Sequence, residues 1–170
     1  MRRIVTGHNQ SGKSVIVDDA ELPHSDRGPF GIEMTDLWST EDVPVIPIEE
    51  SEHKKRPTGG WPQPGGTVLK IWRLHPEDEA FRQAREEGID LVALWRESTG
   101  EEDLGMHTTD TVDYDILLSG ELCMQLDDGV EVHLKPGDSV VQNGTRHAWH
   151  NRGSEPCVVV SVIVGAERKK

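Results

Sequence analysis

The chain has 170 residues, enough for one domain with a substantial core, and 31 acidic against 18 basic residues give a formal charge of −13. Such a field repels a phosphate backbone, which excludes a general nucleic-acid role. No apolar run approaches the ~20 residues that span a bilayer, and the opening MRRIVTGHNQ lacks the apolar stretch of a secretory leader, so a cytoplasmic protein without membrane association is expected.

Residues 7–14, GHNQSGKS, match the phosphate-cradling pattern G-x-x-x-x-G-K-[ST]. The chemistry of that loop needs a buried strand before it and a helix after it. Here Val15, Ile16 and Val17 follow, which favour a strand, and Pro23 leaves no room for a helix. Turn formers between two strand-like runs predict a β-hairpin over residues 1–20 and no nucleotide.

Residues 31–40 alternate as a strand. Residues 41–66 are rich in Pro, Gly and charge and read as a surface loop, with Trp61 either an anchor on a partner or a local packing residue. TVLKIWRL (67–74) carries apolar residues on both faces and reads as a central strand. About residues 76–97 form the helical insertion, with Pro76 in the first turn, acidic residues after it and Gly88 as a break. GEEDLG (100–105) reads as a solvated acidic loop.

From residue 106 onward the pattern is strands and turns. GELCMQLDDGVEVHL is a hairpin with its corner at Asp128-Gly129, Pro136-Gly137 makes the next corner, and CVVVSVIV (157–164) is a buried strand. Cys123 and Cys157 lie in such runs and read as reduced core residues. Short antiparallel strands with Gly/Pro corners predict an all-β barrel or jelly roll. Residues 1–66 are read as an N-terminal β-arm and loop of the same domain, and 67–170 as the barrel.

Residues two apart in a strand share a face. His107, Thr109, Thr111, Asp113 and Asp115 therefore line one side, and His147, Trp149 and Asn151 share a face with His150 opposite. Imidazoles and carboxylates so placed make either a metal site or an acid–base pair. His133 and His150 are expected to face solvent; His8, His24, His53 and His75 form no ligand spacing.

These residues resemble the cupins, whose motifs run G-x5-H-x-H-x(3,4)-E-x6-G and G-x5-P-x-G-x2-H-x3-N. His107 falls on the first histidine, Thr109 replaces the second, Asp113 replaces the glutamate, and Gly120 stands at the matching distance. Gly144, His147 and Asn151 match the second motif; Gln142 holds the proline position, and the gap from Gly137 is one residue shorter. The resemblance implies a double-stranded β-helix barrel, with the short helical insertion, and a site inside it. It also implies a homodimer that exchanges N-terminal strands.

The family's three-histidine, one-glutamate metal set is reduced here to His107, Asp113 and His147, with Thr109, Asp115 and Trp149 as pocket wall. Two histidines and a carboxylate suit Fe and can take Mn, Ni or Zn. The expectation is a small-molecule enzyme acting on an oxygenated metabolite, as a lyase or isomerase or as an oxygenase. The alternative is a metal-free or non-catalytic barrel that binds a small-molecule ligand.

Overall fold

The computed structural model describes residues 1–23, 25–48 and 60–169. His24, His53 and the centre of the 41–66 loop lie outside the described residues. Strands β1 (Arg2–His8) and β2 (Ser14–Glu21) form a separate antiparallel pair. Between them the Asn9 side-chain oxygen accepts hydrogen bonds from the backbone N–H groups of Ser11 (3.0 Å) and Lys13 (2.9 Å). The GHNQSGKS stretch is thus a hairpin turn closed on itself by an asparagine.

The barrel has two antiparallel walls. One has five strands: β3 (Ile32–Thr40), β4 (Thr67–Leu74), β5 (Thr111–Ser119), β8 (Ser139–Asn143) and β10 (Cys157–Gly165), in the order β3-β4-β10-β5-β8. The other has three: β6 (Leu122–Gln125), β7 (Glu131–Leu134) and β9 (Ala148–His150), in the order β7-β6-β9. Inward positions of β4 and β10 alternate strictly with outward ones. One end of the barrel is filled by Trp72, Leu74, Leu117, Leu122, Cys157 and Val159. The other end is open, with Lys70, Asp113, Asp115 and His147 set among apolar walls, so the core supports a site rather than occupying it. The β6–β7 hairpin turns at Asp128 (φ 57°) and Gly129 (φ 71°), as the Asp-Gly pair predicts. Val130 and Val132 on its return stay exposed rather than facing the core, because only Leu134 reaches it.

The insertion is two helices, α1 (Glu77–Glu87) and α2 (Leu91–Thr99). Gly88, at φ 70°, ends α1, and the Asp90 side chain caps α2 by accepting from Val92 and Ala93 N–H. The predicted segment therefore runs two residues further, to Thr99.

One contact fixes the mouth of the barrel. Gly165 N–H donates to Gly66 O (2.9 Å), and Gly65 N–H donates to Gly165 O (3.2 Å). A Cβ on Gly165 would stand 1.9 Å from Gln63 O, so only glycine lets this segment lie on the end of β10. The same segment holds Trp61 over the Lys70 ammonium, 5.0 Å from the ring centroid. Trp61 therefore has a packing partner within its own chain.

Candidate active site in the barrel

The open end encloses a cavity of about 930 Å³ between the two walls, α2 and the Trp61 segment. His107 lies just before β5 and His147 just before β9. Their backbones pair: His107 N–H donates to His147 O and His147 N–H to His107 O, both at 2.9 Å. This bridge brings the two rings to 4.3 Å between centroids.

Each ring is oriented from behind in the same way. His107 Nδ1 lies 2.9 Å from Gly105 O, and His147 Nδ1 lies 2.9 Å from Thr145 O. A carbonyl only accepts, so Nδ1 carries a proton in each ring, and the lone pair of the neutral tautomer lies on Nε2. That arrangement is how proteins prepare an imidazole as a ligand or as a base. Burial, and then the neighbouring His107, pull the His147 pKa down to about 4, so its ring is neutral at pH 7. Trp95 on α2 meets the His107 ring edge-on at 6.0 Å, and Trp149 meets His147 at 5.6 Å.

The opposite wall carries the carboxylates. Asp113 and Asp115 both point inward from β5, 6% and 7% exposed. Asp113 Oδ1 is buried with no hydrogen-bond partner, and burial pushes its carboxyl pKa up, against pulls from Thr111, His107 and Lys70. Asp115 accepts from the Ser161 hydroxyl, which accepts in turn from Trp72 Nε1 at 2.8 Å. Burial raises Asp115 to about 6; the Ser161 hydrogen bond opposes this and Asp113 adds to it. Thr109, in the place of a family histidine, accepts a hydrogen bond from the Thr111 hydroxyl at 2.8 Å.

All six residues singled out for the site, His107, Thr109, Asp113, Asp115, His147 and Trp149, line this one cavity. Asn151, though in the motif, is structural. It is fully buried, donates to Leu74 O and Glu155 O, and accepts from Gly153 N–H.

One expectation is corrected. His150 does turn to the face opposite His147, but that face is not solvent. The first residue of α1 covers it, and the ring is held between Glu77 and Gln125 Oε1 (2.8 Å).

Three residues that shape the site were not read from the sequence. Lys70 is 6% exposed on the cavity wall, with Nζ 3.4 Å from Asp36; a lysine between inward Val68 and Trp72 was the available signal. Ser161 is the one polar residue inside a β-branched run. Arg146 binds Glu101, Asp103 and Asp127, each at 2.9 Å or 3.0 Å. The supposedly solvated acidic loop thereby clamps the residue beside His147 to the segment leading into His107.

A metal fits the donor set in kind. Two imidazoles anchored through Nδ1 and an unpartnered buried carboxylate oxygen are the two-histidine, one-carboxylate combination. The reach is looser. Among the described residues, the set of three such donors lying within 4.8 Å of one another is Cys123, Glu131 and His133, outside the cavity. His107, Asp113 and His147 do not form such a set.

A small antiparallel barrel, with one cavity between its walls and paired histidines from two motifs, defines the class of protein. The chain belongs to the cupin family: the family model for the cupin domain matches residues 94–163. It is 32% identical over 162 residues to phomopsin biosynthesis cluster protein D of Diaporthe leptostromiformis, covering 88% of this chain and 70% of that one. It is 39% identical over 155 residues to the cupin-domain-containing oxidoreductase virC of Hypocrea virens, covering 88% and 66%. Among solved structures, KdgF from Halomonas sp. aligns with a TM-score of 0.46 at 13% identity, over 87% of this chain and 89% of that one.

Proposed function

We propose that this cupin is a metal-dependent enzyme acting on an oxygenated small molecule inside the barrel. The observation that carries the reading is the pair of imidazoles, both anchored through Nδ1 to backbone carbonyls, in one cavity with an unpartnered buried carboxylate oxygen. His107 and His147 would hold a divalent ion (Fe, Mn, Ni or Zn), with Asp113 as the available carboxylate. When bound, the metal supplies Lewis-acid polarisation of a substrate oxygen or, as iron, a centre for dioxygen chemistry. The oxidoreductase naming of relatives such as virC supports the second of these.

The chain's own residues do the rest. Trp72, Trp95 and Trp149 give the cavity apolar walls that exclude water from a bound metabolite. Lys70 offers a fixed positive charge to a substrate oxygen on the wall away from the histidines. The Asp115 carboxyl, raised to about 6, can hold or release a proton near neutral pH, and Ser161 fixes its orientation. A lyase or isomerase would use this carboxyl and Asp113 for the same proton transfers.

The test is elemental analysis of protein purified without a histidine tag or chelator. About one equivalent of metal per chain that disappears in His107→Ala supports the reading. Metal content unchanged by His107→Ala and His147→Ala, in folded variants, removes it and leaves a metal-free or ligand-binding barrel.

A further inference from the structure

Beside the cavity, on the face of the three-stranded wall that carries His150, lies a cluster whose members do not line the cavity and which the reading above does not use. Cys123 in the middle of β6 stands directly opposite His133 on β7, and Gln125 stands opposite Glu131. Alternation puts Cys123, Glu131 and His133 on one face. The Cys123 thiol, the Glu131 carboxylate and the His133 ring each place a ligand atom within 4.8 Å of the other two. Cys123 is 3% exposed, while Glu131 and His133 are exposed, so the cluster opens to solvent on one side only.

We propose that Cys123, Glu131 and His133 form a second metal site, for a borderline-soft divalent ion of the zinc class, independent of the cavity. A thiolate, an imidazole and a carboxylate are ligands that zinc, cobalt and cadmium accept together, whereas magnesium and calcium do not take thiolate. Binding is a ligand exchange without redox change. The Cys123 Sγ–H bond breaks, its proton goes to solvent, and the sulfur lone pair forms the metal bond.

The neighbours shape the site. Arg152 forks onto both Glu131 oxygens, at 2.5 Å and 2.8 Å, and so fixes the carboxylate's direction. Each oxygen keeps a second lone pair for a metal. His150, opposite Cys123 on the other side, is held away by Glu77 and Gln125. The set therefore stays at three protein ligands, which leaves a further position for water or an added ligand. Three ligands from adjacent strands of one rigid sheet also need little rearrangement on binding.

The test is titration of the reduced full-length protein with Co(II), read by the thiolate-to-cobalt charge-transfer band in the near ultraviolet. The expected result is a saturable band of one equivalent, displaced by Zn(II) and retained in His107→Ala. Cys123→Ser loses the band, and His133→Ala weakens the apparent Kd at least 10-fold. No band from folded wild-type protein in excess Co(II), or a band that persists in folded Cys123→Ser, overturns the proposal. Should Cys123→Ser fail to fold, the exposed His133→Ala decides it, because an unchanged Kd there equally overturns the site.

Discussion

Two buried residues in the cavity titrate in opposite senses. His147, pulled down to about 4, is held neutral by the fold, so its contribution to stability is present above its unfolded pKa of ~6.5 and is lost as pH falls through 4. Asp115, raised to about 6, is held protonated, so its contribution is present below its unfolded pKa of ~3.9 and is lost as pH rises through 6. Between pH 4 and 6 the two slopes oppose each other. His107 beside the first, and Asp113 and Ser161 beside the second, set how closely they cancel. Urea unfolding of metal-free protein across this range should show stability relative to wild type tilting with pH. Relative to wild type, His147→Ala should lose stability as pH rises, and Asp115→Asn should gain it. Parallel curves for all three proteins contradict the burial account. Asn151 makes a contrasting prediction. Asn151→Ala leaves two carbonyls and an N–H without their partner and should cost about 3 kcal/mol in urea unfolding. A cost below about 0.5 kcal/mol, within the range of ordinary surface substitutions, would return Asn151 to the site.

Strands and turns explain how those residues arrive together. The alternation in TVLKIWRL, the Asp-Gly corner and the β-branched run at 157–164 made most of the barrel legible, because an inward/outward period of two leaves a direct trace in sequence. That His107, Asp113 and His147 would face one cavity was legible from the resemblance to the family motifs, while their roles are proposals. What was not legible depends on contacts between distant segments. Nothing near His150 announces that α1 will cover its face, and nothing in GEEDLG announces that Arg146 will draw it inward. Likewise Gly165 is a plain glycine in sequence, yet it admits the segment that carries Trp61. Gly165→Ala should cost about 2–3 kcal/mol through the clash with Gln63 O, and should change Trp61 fluorescence as its ring leaves Lys70. Asp90→Ala removes the α2 cap and should cost about 1 kcal/mol, seen as a lower Tm. An unchanged Tm would mean that tertiary packing alone holds α2.

For the whole molecule, the outer face of the five-stranded sheet is apolar. Tyr114, Ile116, Leu118, Val141 and Val162 are all between 36% and 54% exposed there. Exposed apolar side chains gathered on one sheet face are the feature that a second copy of the chain would cover. The expectation is a homodimer by light scattering that Leu118→Glu shifts to monomer; a wild-type monomer at micromolar concentration refutes it. Every function argued for the cavity rests on one physical claim, that His107 and His147 are both anchored through Nδ1 and leave Nε2 as their ligand atom in the same space. Long-range ¹H–¹⁵N correlation spectra report the tautomer of each histidine directly, and the Cys123→Ser background confines Zn(II) to the cavity. At pH 7 each ring should carry a proton on Nδ1, and Zn(II) should shift the Nε2 resonances of His107 and His147. Rings that are protonated on Nε2 alone, or that ignore the metal, would contradict the account at its base.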